Sequence, residues 1–207
     1  MKLDELALKH GTDKASAIHN YTRYYEQYFE PLRDKPLRIL EIGIATGASL
    51  RMWREYFPNA EIIGLDKDEA YMTKEGVITI KGDQSNKRHL LQVAELYTPF
   101  DIIIDDGSHI NKDLLLTFET LFVALKSGGL YVAEDLHTCY WGFGFGRPKF
   151  IKRLKTLIDQ VNSGGKAGIA DRAKESPLGF MRWPMTWWER NVEFVHFYRG
   201  IVFIKKV

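Results

Sequence analysis

Cysteine is nearly absent: Cys139 is the only one in 207 residues, so an internal disulfide framework is excluded. A dominant charge is lacking too. The 29 basic and 27 acidic residues leave a formal net charge of +2, so no bulk field directs the chain to nucleic acid. No apolar run approaches the roughly 20 residues that span a bilayer. The opening M-K-L-D-E-L-A has neither the apolar core nor the cleavage site of a signal peptide, and a soluble, cytoplasmic protein without membrane partners is expected. Internal repeats and low-complexity tracts are also missing. What remains is a 45% hydrophobic chain, enough for one well-cored domain over 1–207 but short for two.

The most informative stretch is 100–109, F-D-I-I-I-D-D-G-S-H. Three β-branched apolar residues, Ile102 to Ile104, suit a strand buried on both faces of a parallel sheet. The polar residues that follow would sit at its carboxyl end, where open α/β sheets bind ligands.

Around it the chain alternates. Residues 37–42, 61–65, 77–80 and 130–133 read as further buried strands. Helices are expected over 19–32 (Tyr21, Tyr25, Tyr28, Leu32), from Ser49 (Leu50, Trp53, Phe57), after a Ser85 N-cap (Leu90, Val93, Ala94, Tyr97), and along Leu114, Phe118, Leu121, Phe122 and Leu125. Ser127-Gly128-Gly129 is expected to end the last of these. Two closing strands, 194–198 and 201–205, are separated only by Arg199-Gly200 and demand an antiparallel hairpin. The expected architecture is therefore α/β, a Rossmann-like, mainly parallel sheet of seven strands ending in an antiparallel hairpin. Residues 1–35 read as a helical cover, 142–190 as a substrate-facing insert, and 162–168, with three glycines, as a mobile loop.

Several strands close on an acid: Glu41, Asp66, Asp83 and Asp105. The turn from Gly43 to Gly47 would let the backbone approach a ligand at a helix N-terminus, although it equally suits a plain strand-to-helix turn. Asp66 stands where a ribose hydroxyl is held in such folds. Asp83 either holds an adenine amino group or caps a helix. Asp106 follows the fourth strand and Glu134-Asp135 the fifth. Neighbouring strands lie about 4.8 Å apart, so these three carboxylates can converge on Mg2+ or Mn2+. His109, three residues beyond Asp106, is the candidate general base; His137 is a second.

The segments G-T-D-K (11–14), E-I-G-I (41–44), S-L-R-M-W (49–53), G-L-D (64–66), G-D-Q (82–84), I-D-D-G-S-H (104–109) and Y-V-A-E-D-L-H-T-C-Y-W (131–141) resemble class I S-adenosylmethionine-dependent methyltransferases. More narrowly, the chain resembles the metal-dependent sugar O-methyltransferases that act on glycosylated macrolides and related natural products. That resemblance implies S-adenosylmethionine as cofactor, bound by Thr12, Lys14, Tyr21, Glu41, Gly43, Gly47, Ser49, Asp66, Asp83, Gln84 and Asp105. It implies Asp106, Glu134 and Asp135 as metal ligands, His109 as the base for a sugar hydroxyl, and a glycosylated small molecule as substrate, with a homo-oligomer compatible. Trp141, Phe143, Phe145, Phe180, Trp183, Trp187 and Trp188 supply either core or a wall for the sugar or aglycone. A catechol-type O-methyltransferase or a non-catalytic binding protein is the alternative. The glycine spacing and the terminal hairpin disfavour a nicotinamide dehydrogenase.

Overall fold

The computed structural model describes residues 1–68, 76–142, 148–172 and 186–207, with 163–172 described as backbone only. Seven strands form one sheet: β1 (Arg38–Ile42), β2 (Glu61–Asp66), β3 (Val77–Lys81), β4 (Phe100–Asp105), β5 (Leu125–Ala133), β6 (Val192–Tyr198) and β7 (Ile201–Lys206). Their order is β3-β2-β1-β4-β5-β7-β6. The first five run parallel, whereas β7 is antiparallel to both β5 and β6, as expected from the two-residue link. Gly200 in that link has φ +80, open to glycine at little strain, and a Cβ there would crowd the Tyr21 hydroxyl.

Strand side chains alternate between two cores. Leu40, Ile63, Ile103 and Tyr131 face one layer, with α4 (Lys87–Tyr97), α5 (Asn111–Leu121) and the first turns of α6 (Lys149–Arg172). Ile39, Ile62, Ile102, Ile104 and Val132 face the other, with α1 (Leu3–His10), α2 (Thr22–Phe29) and α3 (Ala48–Tyr56). Tyr25, Phe29, Trp53 and Phe57 stack edge to face in that second layer, each almost wholly buried. Burying such a side chain contributes roughly 1.5–3 kcal/mol, so this aromatic seam decides how α2 sits on the sheet.

Four local expectations are corrected. The helix expected over 19–32 spans only Thr22–Phe29 and tightens to a 3-10 turn at Glu30–Leu32, where Pro31 has no N–H for the α ladder. Asn86, not Ser85, caps α4: its side chain accepts from the Arg88 N–H at 3.0 Å, while the Ser85 N–H is taken by Asp83 at 2.8 Å. Ser127-Gly128-Gly129 does not end a helix. After α5 comes a 3-10 turn, Phe122–Ala124, and these residues form an irregularity inside β5, where pairing jumps from Phe100↔Leu125 to Ile102↔Leu130. Residues 162–168 are not a loop, because α6 runs through them. Its apolar stripe, Phe150, Ile151, Leu154 and Leu157, is buried, and the anchored helix carries internal glycines that each oppose it by about 1 kcal/mol. The helical cover expected over 1–35 has a second member in α1, ahead of α2.

Of the aromatic C-terminal residues, Trp188 packs partly buried against the core: it stacks on Phe118 with centroids 5.1 Å apart, and the Arg153 guanidinium lies 4.3 Å from its ring centre. Trp187, in α7 (Trp187–Asn191), is partly exposed beside Phe122. Phe143, Phe145, Phe180 and Trp183 lie outside the described residues. Among the described residues no helix is long and apolar enough to cross a membrane.

Candidate active site

Sheet register sets the site. Ile42 pairs with Asp105 and Asp105 with Ala133, so the next residues along, Gly43, Asp106 and Glu134, leave β1, β4 and β5 at one level. The ladder carries one step further through Asp106 N–H to Ile42 O (2.9 Å) and Glu134 N–H to Asp105 O (3.0 Å). A Cβ on Gly43, whose φ is +91, would run into the Asp106 carbonyl oxygen. Glycine is therefore required there so that two strand-end loops can touch.

Into this level reaches Lys14, from the G-T-D-K turn between α1 and α2, with no exposed surface. Its ammonium bonds Asp106, lies 2.9 Å from Glu134 Oε1 and 3.4 Å from Glu41 Oε1. Ser49 donates to the other Glu41 oxygen at 2.9 Å, and Tyr25 donates to Glu134. Tyr21 donates to Asp135 at 2.8 Å. Burial works against charge on Lys14, but Asp106, Glu134 and Glu41 outweigh it and hold the ammonium well above its usual range. Burial raises Glu41 to about 7 despite Lys14, and raises Asp106 and Glu134 as well. Three carboxylates surround the Lys14 ammonium and a fourth, Asp135, lies within 4.8 Å of Asp106; once ionised they carry more negative charge than one ammonium offsets, which a divalent cation would balance.

Asp106, His109 and Asp135 each place one ligand-type atom within 4.8 Å of the others. His109 Nε2 lies 3.7 Å from Asp135 Oδ2, and its Nδ1 is buried with no hydrogen-bond partner among the described residues. The expected acid trio thus divides: Asp106 and Asp135 border His109, while Glu134 turns inward to Lys14 and Tyr25. His137 stands 3.9 Å from Asp135 on the outer side, half exposed. Three of the four described non-glycine residues with positive φ follow strand ends: Ala45 (+44), His109 (+55) and Asp135 (+52). Left-handed backbone at such residues costs about 1–3 kcal/mol each and concentrates where function over-determines it.

Of the residues expected around a cofactor, Asp66 ties down the turn after β1, accepting from the Ile44 N–H at 2.7 Å and the Ala45 N–H at 3.2 Å. Gly47, at φ +73, opens α3. Asp83 is exposed and accepts from the Ser85 N–H in the turn before α4. Thr12 is buried within its turn, its hydroxyl near the Lys14 N–H. Lys14 and Tyr21 bond the acids. Asp105, expected to face the cofactor, is wholly buried, with one oxygen bonded by Gln84 (2.7 Å) and the other by Tyr131 (2.8 Å). Gln84 bonds Thr117 and also accepts from the Ser108 N–H at 2.7 Å, so this pair braces the D-G-S-H turn from behind. Tyr25 is the supporting residue that a sequence reading passes over, because its spacing from Tyr21 already explained it as one apolar helix face.

Burial pushes Asp105 up to about 7 from 3.8, against the opposing bonds from Tyr131 and Gln84. Between those values the folded protein keeps a proton that the unfolded chain has released, so stability is lost as pH rises through the window. Unfolding in denaturant with EDTA should show wild type falling relative to Asp105→Asn by on the order of 2 kcal/mol between about pH 5 and about pH 8. A pH-independent difference would remove Asp105 as the titrating group.

No protein-family profile matches the chain. It is 36% identical over 219 residues to the mycinamicin VI 2''-O-methyltransferase of Micromonospora griseorubida, covering 99% of this chain and 52% of that protein. It is 37% identical over 214 residues to the 8-demethyl-8-alpha-L-rhamnosyl tetracenomycin-C 2'-O-methyltransferase of Streptomyces olivaceus, covering 97% of this chain and 53% of that protein. A crystal structure of the MycE methyltransferase from the mycinamycin biosynthetic pathway, in complex with Mg and SAH, superposes with a TM-score of 0.85 at 34% identity over 100% of this chain and 54% of that one. The chain spans about half the length of the curated relatives it matches.

Proposed function

We propose that this chain, similar along its length to about half the length of natural-product sugar O-methyltransferases, is a class I S-adenosylmethionine-dependent methyltransferase that transfers a methyl group from S-adenosylmethionine to a sugar hydroxyl of a glycosylated small molecule in the cytoplasm. The observation that carries this reading is the meeting of Asp106, His109 and Asp135 at the ends of two neighbouring strands. An oxygen-rich set with a surplus of negative charge fits Mg2+ or Mn2+, and Asp106 and Asp135 would hold it, with Glu134 beside them. When bound, the ion favours ionisation of a neighbouring hydroxyl, and the sulfonium cofactor supplies an activated methyl.

The chain's own residues supply position and a proton acceptor. In the neutral imidazole with its hydrogen on Nδ1, His109 Nε2 is free to take the sugar hydroxyl proton. Asp135, 3.7 Å away, then stabilises the imidazolium. The left-handed backbone at His109 and the Thr138 hydroxyl bonded to its carbonyl at 3.2 Å hold the ring's origin. Gly43, Gly47 and Asp66 would cradle the cofactor after β1 and β2, with Thr12, Ser49 and Asp83 at its margins. Lys14, Tyr21, Glu41, Gln84 and Asp105 support the site from behind.

Thermal unfolding with S-adenosylhomocysteine, Mg2+, a vicinal diol and NAD, alone and combined, tests the reading. A hundredfold excess of ligand over Kd stabilises by about 2.7 kcal/mol, roughly 5–10 °C for a domain of this size. S-adenosylhomocysteine should give that shift, and Mg2+ with the diol should enlarge it. A shift with NAD and none with S-adenosylhomocysteine would overturn the assignment.

A further inference from the structure

We infer that Lys14 is a resident cation of the strand-end site, a positioning residue whose ammonium keeps Asp106, Glu134 and Glu41 assembled before any divalent ion arrives. Several observations point the same way. The side chain has no exposed surface, yet it comes from the turn between α1 and α2 and enters the sheet at the level of three strands. Its three carboxylate partners lie at the next-to-last residue of β1 (Glu41) and directly after β4 (Asp106) and β5 (Glu134), so one charge spans three adjacent strand ends. Its own turn is fixed around it. The Tyr21 and Thr22 N–H groups donate to the Lys14 carbonyl at 2.9 and 3.1 Å, and Tyr21 and Tyr25 then reach Asp135 and Glu134. The segment that looked like sheet cover is thus the outer brace of the acids.

A buried ammonium has a definite electrostatic consequence. Without it, three carboxylates would share a nearly water-free space with no counter-charge, an arrangement far costlier than the paired one. Present, it also repels an incoming cation at short range, so it lowers affinity for the ion while making the empty site stable. This differs from a residue that merely shapes the ligands, whose loss would weaken metal binding. The part concerning the ion rests on the reading above; the part concerning assembly does not.

Lys14→Met keeps length and removes charge. In EDTA its Tm should fall by about 10 °C below wild type. Added Mn2+ should raise the Tm of Lys14→Met by at least about twice the wild-type increment, and electron paramagnetic resonance titration should show Mn2+ bound about tenfold more tightly. An unchanged Tm in EDTA, or weaker Mn2+ binding by the folded variant, overturns the inference. If Lys14→Met does not fold, the charge-balanced Lys14→Met/Glu41→Gln variant takes its place and should regain most of the lost stability in EDTA; no recovery overturns the charge account. Should even wild type fail to bind Mn2+, the metal reading falls, and the EDTA comparison still decides the role of Lys14 in assembly.

Discussion

Asp106→Ala should lose metal-stimulated methyl transfer by at least about 100-fold while still binding S-adenosylhomocysteine. The variant should fold, because Lys14 keeps Glu134 and Glu41 as partners, and the like-charge crowding among the acids is reduced. What disappears is the one carboxylate that both bonds Lys14 and stands within 4.8 Å of His109 and Asp135. Initial rates across a Mg2+ titration, beside a thermal shift with S-adenosylhomocysteine, separate the two effects. Full activity of the variant in metal-free buffer would sink the mechanism.

His109→Asn should reduce the rate about 10²- to 10⁴-fold, the range that a positioned general base supplies. Asparagine is the informative replacement because His109 has φ +55, and asparagine adopts left-handed backbone more readily than most side chains. Loss of activity then reports the imidazole and not the turn. The same variant distinguishes two roles that the cluster geometry allows. A base leaves Mn2+ affinity within about threefold of wild type, whereas loss of a metal ligand reduces it tenfold or more. Electron paramagnetic resonance titration beside the rate measurement decides which.

The strand framework was legible because each strand is a short β-branched run between turn residues, and the closing hairpin because Arg199-Gly200 is too short for any other link. The α/β class and the closing antiparallel pair follow from those two facts, whereas the strand order is set by long-range packing that neither fact specifies. The helical boundaries that moved did so for reasons with no periodic signature. Pro31 removes one donor, Asn86 competes with Ser85 for the same cap, and β5 absorbs Ser127-Gly128-Gly129 as an irregularity because pairing with β4 resumes beyond it. At the site, acids and histidine were readable as strand-end residues. Their orientation was not. Glu134 and Asp135 are adjacent in sequence yet point to different partners, since Asp135 takes a left-handed backbone that no pattern of side chains announces. Lys14 was likewise assignable to a ligand-binding turn, but the carboxylates it meets lie 27, 92 and 120 positions away along the chain.

The contact between Gly43 and Asp106 has a thermodynamic consequence. The turn after β1 and the turn after β4 are in backbone contact with no side chain between them, so neither can shift alone. Any molecule that stiffens the first turn also narrows the range of positions open to Asp106, and any ion held by Asp106 narrows those of the first turn. Binding at the two turns would then be one coupled equilibrium. By reciprocity, the factor by which the ion alters affinity for the small molecule equals the factor by which the small molecule alters affinity for the ion. Alanine at Gly43 would break the contact through which such coupling would run.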